Sequence, residues 1–119
     1  EIGRRYYEQL KFNKNIIIQG LKNSYSENIF WVFGILLKKK NKLKRDSIVK
    51  KLLNEKIQTR NFFFSMHMQT IFKKEKIFKK KKLPIAEYLS NYGFYLPSGL
   101  GISNKEIDYI CKKVNKIIS

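Results

Sequence analysis

The C-terminal segment of the chain leaves little choice of structure. Ser103 and Glu106 have the spacing of a capping box. Behind them Ile107, Ile110, Cys111, Val114, Ile117 and Ile118 recur at helical intervals as one apolar stripe. A helix of this kind has to bury that stripe. The run Ile29 to Leu37, IFWVFGILL, is β-branched, aromatic and almost entirely apolar, which predicts a strand buried on both faces at the centre of a sheet, with Trp31 as a core anchor.

The remaining elements are predicted by pattern and punctuation. Ile2, Tyr6 and Leu10 share a helical face that Asn13 to Asn15 terminate, and Ile16 to Ile18 is a short apolar run. Gly20 to Asn28 is a turn-prone connection. After the lysine cluster Lys38 to Lys44, a solvated turn, Asp46 is expected to cap a helix whose Ile48, Val49, Leu52 and Leu53 lie together. Ile57 to Phe64 is predicted as a strand, with Phe62 and Phe64 on one side and Phe63 on the other, and Met66 to Phe72 is left unassigned. Lys73 to Lys82 is a like-charge block expected to be poorly ordered. Pro84 suits the first position of a helix PIAEYLSNY, Gly93 its left-handed stop, and Phe94 to Leu96 a last strand. The sum is an α+β fold, an α/β sandwich with a small antiparallel sheet of three or four strands and helices packed on one face.

A length of 119 residues fits one domain. The sequence opens at Glu1 inside a helix already under way, as expected of a fragment. Lys and Arg number 26 against 9 for Asp and Glu, a formal net charge of +17, and this is the footprint of many nucleic-acid binders. A small basic nucleic-acid-binding module is therefore the alternative function. The cations are mostly Lys, however, accompanied by much Ile and Asn, as A- and T-rich codons dictate, and no RNA-recognition, helix-turn-helix or zinc signature is present. The reading accordingly disfavours a nucleic-acid partner.

Cys111 is the only cysteine, which excludes an internal disulfide or a cysteine metal cluster and reads as a buried thiol. The longest apolar run is far short of the ~20 residues a helix needs to span a bilayer, so no membrane partner is expected and the cytoplasm is the expected location.

The one chemically suggestive stretch is RDSIVKKLLNEKIQTRNFFFSMHMQ, Arg45 to Gln69. It brings a cation, Arg60, and the aromatic wall of Phe62 to Phe64 towards the sole histidine, His67, at a strand end. An imidazole there can bind a sugar hydroxyl or a phosphate oxygen, or be a partly buried histidine satisfied by backbone. Arg60 can orient a diphosphate through paired donors or form a structural salt bridge. Phe62 can floor a pocket or pack against another domain.

This stretch, together with FWVFGILL at Phe30 to Leu37, LPIAEYLSNYGFYLP at Leu83 to Pro97 and the final helix, resembles the C-terminal small domain of the DegT/DnrJ/StrS sugar aminotransferases, fold type I enzymes, and among them perosamine-synthase-like members. Ser65 departs from the pattern, since family members often carry proline there. The resemblance implies a linker helix at residues 1–14 from a missing N-terminal large domain and a small domain at 15–119. It further implies a pyridoxal-phosphate (PLP) enzyme that transfers an amino group from glutamate to a nucleotide-linked keto-deoxysugar, homodimeric when intact. The small domain closes over the active site, with His67, Arg60 and Phe62 on the substrate side. The family's Schiff-base lysine setting is not found in these residues. No catalytic, cofactor-binding or metal-binding residue is therefore assigned, and neither PLP binding nor activity is expected of this chain alone.

Overall fold

The computed structural model describes residues 1–40, 44–75, 77 and 82–119. Its elements in chain order are α1 (Ile2–Leu10), β1 (Ile16–Ile18), β2 (Phe33–Leu37), α2 (Arg45–Asn54), β3 (Arg60–Asn61), a 3-10 turn (Met66–Met68), α3 (Thr70–Lys74), α4 (Pro84–Tyr92), β4 (Gly93–Leu96) and α5 (Asn104–Ile117). The four strands form one antiparallel sheet in the order β1-β2-β4-β3. The fold is α+β, as the patterning predicts.

Register decides which face is core. Ile16 lies opposite Leu37, Ile18 opposite Ile35, Phe94 opposite Ile35 and Leu96 opposite Phe33, so these side chains project to one side of the sheet. Helices α1, α2 and α5 cover that side. Tyr6 and Leu10 of α1, Ile48 and Leu52 of α2, and Ile107, Ile110, Cys111 and Val114 of α5 complete a single buried cluster with Phe33, Ile35, Leu37, Phe94 and Leu96. Full burial of each such aliphatic or aromatic side chain contributes about 1.5–3 kcal/mol. The Ser103 and Glu106 capping box forms as expected, and Tyr6 ties α1 to the end of β4 by donating its hydroxyl to Pro97 O at 2.7 Å. Burial pushes the Cys111 thiol up to about 12, which keeps it protonated.

Several local expectations are corrected. The central strand begins at Phe33 and not at Ile29, and Trp31 is 77% exposed, so it is no core anchor. The cause lies in Phe30, which adopts a positive φ of 49°. The kink turns Phe30 inward, where its ring stacks on Phe33 and lies over Gly3, and leaves Ile29 and Trp31 on the outside. A side chain at position 3 would collide with that ring, its Cβ falling 2.1 Å from Phe30 Cγ.

Asp46 does not cap α2. The capping position is Lys44, and Asp46 sits in the first turn, where it holds Arg45 and complements the helix dipole. Leu53 is exposed because it stands roughly 100° around the helix from Leu52 and leaves the stripe of Ile48 and Leu52. Gly93 is not a left-handed stop: its φ of −96° and ψ of 146° are extended, and α4 runs directly into β4. The strand predicted at Ile57 to Phe64 shrinks to Arg60–Asn61. On one side its partner would be Pro97, which has no N–H to donate. On the other, after Phe62 N–H reaches Gly93 O, the partner strand has become helix. Half of the block Lys73 to Lys82, namely Lys76 and residues 78–81, lies outside the described residues, as do residues 41–43 of the earlier cluster, whereas Lys73 and Lys74 are ordered as the end of α3.

Lys56, which ends α2, has a φ of 62°, a left-handed conformation that costs a residue with a Cβ about 1–2 kcal/mol. Lys56→Gly is therefore expected to raise stability by about 0.5–1 kcal/mol, after allowance for the greater freedom of glycine in the unfolded chain. The urea midpoint at unchanged slope measures it, and a lower midpoint refutes the strain.

Candidate functional site

The sheet's second face is built from what β2, β4 and β3 turn away from the core: Gly34, Gly93, Tyr95 and Arg60. Phe62 is laid over this face. An added Cβ would fall 2.9 Å from Phe62 Cζ at position 34 and 2.3 Å from Phe62 Cδ2 at position 93, so the ring occupies the space that the two glycines leave empty. Its other neighbour is Tyr95, stacked at a centroid distance of 4.6 Å, and Phe63 meets the same tyrosine edge-on at 6.4 Å. Phe62 is half-buried, whereas Phe63 and Phe64 are exposed; with the ladder ended at Phe62, strand alternation no longer sends either one into the core.

His67 sits on the 3-10 turn rather than at a strand end. Its ring is almost buried, with a side-chain exposure of 6%, and Nε2 lies 3.0 Å from Glu87 Oε1. The loop that carries it is pinned to α4 a second time, by Ser65 Oγ donating to Ala86 O at 2.9 Å. Glu87 also accepts the backbone N–H of Leu83 at 3.1 Å, and the His67 bond followed by this one holds its carboxyl below the usual range. Helix α4 is itself anchored where β2 ends: Tyr88 donates to Leu37 O at 2.7 Å, and Arg45 donates to Ser90 O.

Arg60 is exposed and forms no ion pair among the described residues, and directly across the ladder from it is Tyr95. Arg60 and Phe62 thus share the second face, while His67 follows on the turn behind them; no hydrogen bond joins the three among the described residues. Thr59 Oγ1, next to Arg60, is buried without a hydrogen-bond partner there. Sequence reasoning missed Glu87 and Tyr95, whose importance comes from pairings across 20 or more residues. Two concavities, of about 880 Å³ beside Arg4, Trp31 and Leu100 and about 700 Å³ beside Ile57, Ile102 and Tyr109, include none of the three candidates in their walls.

The DegT/DnrJ/EryC1/StrS aminotransferase family model matches residues 1–115. The chain belongs to that family. GDP-perosamine synthase of Escherichia coli O157:H7 is 31% identical over 110 residues, covering 92% of this chain and 29% of that protein. Helicobacter pylori PseC, an aminotransferase involved in pseudoaminic acid biosynthesis, superimposes with a TM-score of 0.85 at 15% identity, over 98% of this chain and 31% of its own. DesI, solved in the presence of its TDP-sugar product, gives 0.80 at 18% identity, over 97% and 29%. The chain therefore spans less than a third of each of these relatives. The family is one of PLP-dependent sugar aminotransferases with nucleotide-sugar members, and other matching structures hold PLP.

Lys113 and Asp108, a lysine and an acid of the types such a cofactor needs, are both engaged elsewhere. Lys113 is held by Glu55 at 2.6 Å, and this bond raises its pKa, the wrong direction for an amine that must shed a proton to form a Schiff base. Asp108 is already committed to Arg5 and Gln9.

Gly93→Ala should destabilise the chain by about 1–3 kcal/mol, because its Cβ meets not only the Phe62 ring but also Leu89 O at 2.6 Å, a backbone atom that cannot rotate away. Urea unfolding measures this, and a neutral result removes the glycine constraint. Glu55, Glu87, Glu106 and Asp108 all have carboxyls held low by hydrogen bonds. A depressed folded-state pKa contributes stability that is complete above the unfolded value and lost as pH falls through the folded one. Stability should therefore hold down to the ordinary carboxylate range and decline as the pH falls below it. Asp108→Asn should flatten that decline in urea titrations; an unchanged slope contradicts the assignment.

Proposed function

We propose that this chain is the C-terminal small domain of a PLP-dependent nucleotide-sugar aminotransferase and closes over an active site whose cofactor is held by a large N-terminal domain. The observation that carries this reading is the identity to GDP-perosamine synthase along nearly the whole chain. Residues 1–14 would join the two domains, and 15–119 would form the small one. Tyr6 and Leu10 root α1 in the core, so a movement of the helix would carry the sheet with it. The substrate is a nucleotide-linked keto-deoxysugar, glutamate is the amino donor, and the intact protein is a cytoplasmic homodimer. No described helix is long and apolar enough to cross a membrane.

Within this reading, His67 contacts the substrate through the ring edge not bonded to Glu87, and Arg60, exposed and free of a carboxylate, supplies paired donors to the diphosphate. Phe62, stacked on Tyr95, gives the face its apolar floor.

The test is a chimera in which this chain replaces the corresponding segment of E. coli GDP-perosamine synthase. It is expected to bind PLP and aminate a GDP-linked keto-deoxysugar, with His67→Gln lowering kcat/KM about tenfold or more, the loss of one hydrogen bond of ~1.4 kcal/mol. A folded, PLP-loaded chimera that transfers no amino group overturns the proposal. Tight, steeply salt-dependent, sequence-preferring binding of nucleic acid by the chain would favour the basic module instead.

A further inference from the structure

We propose that Glu87 is a positioning residue for His67: it holds the neutral imidazole as the Nε2–H tautomer, leaving Nδ1 as an acceptor for a hydroxyl of the ligand rather than a donor to phosphate. The inference rests on the reading of His67 as a ligand contact and narrows the group it can take.

The geometry carries the argument. A carboxylate oxygen only accepts, so a neutral ring whose Nε2 stands 3.0 Å from Glu87 Oε1 must bear its proton on that nitrogen. The same oxygen also takes the Leu83 N–H at 3.1 Å. Glu87 is thereby fixed to the start of its own helix and is not free to swing away. Ser65, bound to Ala86 O, fixes the other partner from the same turn of α4, and Met68 N–H donating to Ser65 O closes the turn on which His67 stands. The ring is thus held from both sides with one edge unused. Nδ1 forms no hydrogen bond among the described residues.

A bare Nδ1 pairs with O–H or N–H donors. Phosphate oxygens bring lone pairs and would face it without a proton between them. For the neutral ring, the ligand group at this position is therefore a hydroxyl of the sugar, and the diphosphate is left to other residues.

Because His67 is the sole histidine, one pair of ring nitrogens reports the tautomer in a 15N spectrum of labelled chain. The pH is raised until the ring shifts stop moving, so that only the neutral ring is read. The native chain is expected to show Nε2 protonated and Nδ1 bare, and Glu87→Ala to show a mixture or the reversed tautomer. Glu87→Gln, which keeps an acceptor for Leu83 and offers either its oxygen or its amide group to the ring, should fall between. A native chain with Nδ1 protonated, or a folded Glu87→Ala chain with an unchanged tautomer, overturns the proposal. If Glu87→Ala does not fold, the native spectrum and Glu87→Gln decide. A purely structural Glu87 would lower the urea midpoint without moving this pattern. The spectrum contains no ligand, so its failure is separate from that of the chimera. An unbiased tautomer with an inactive His67→Gln chimera rejects only the role of Glu87. A fixed Nε2–H tautomer with a fully active His67→Gln chimera rejects the ligand contact.

Discussion

The second face of the sheet depends on a ring standing where two side chains are missing. Phe62 fills the space above Gly34 and Gly93, and its other side rests on Tyr95. This placement decides more than local packing. Its N–H makes the last bond of the β3 ladder to Gly93 O, so the chain leaves the sheet at that point. Gly93 in turn is where α4 becomes β4 with no intervening loop. The aromatic ring therefore sits at the junction from which the His67 turn departs on one strand and the Glu87 helix arrives on the other. Two segments 20 residues apart are brought to hydrogen-bonding distance by that shared junction.

The core on the opposite face follows a simpler rule. One register places Ile16, Ile18, Phe33, Ile35, Leu37, Phe94 and Leu96 on the same side, and the α5 stripe together with Tyr6 and Leu10 covers it. Periodicity alone was enough to find α1, α5 and the α+β class, because long elements with one wet and one dry face write their geometry into residue order. The helix start at Pro84 and the capping box at Ser103 were equally legible, since each acts within one turn.

What was not legible depends on partners distant in sequence. The apolar run from Ile29 reads as strand, yet Phe30 in a left-handed conformation breaks it, because Gly3 provides the space for that ring more than twenty residues away. Nothing local marks the kink. The run TRNFFF has strand composition, but its neighbour offers only four residues of ladder, so most of it cannot pair. Of the candidate site, His67, Arg60 and Phe62 could be named from residue type and family pattern. The carboxylate that faces His67 could not, because Glu87 in PIAEYLSNY looks like any acidic residue in the first turn of a helix.

Charge adds a constraint that acts through scarcity. With 26 basic side chains and 9 acidic ones, carboxylates limit the number of ion pairs. Among the described residues, seven of the nine have such a partner: Glu8 with Lys11, Glu27 with Arg4, Asp46 with Arg45, Glu55 with Lys113, Glu87 with His67, Asp108 with Arg5, and Glu106 in the cap of α5. Four of these bridge separate segments: Glu27 holds the connection after β1 to α1, Asp108 holds α5 to α1, Glu55 holds the end of α2 to α5, and Glu87 holds α4 to the His67 turn. In a chain of balanced charge, the loss of one such acid could be offset by a neighbour. Here the surrounding potential is positive and any freed cation adds to the self-repulsion of the fold. The placement of Glu87 against the one histidine is thus a use of a scarce group, and it sets a carboxylate beside the only imidazole in a chain otherwise crowded with lysine.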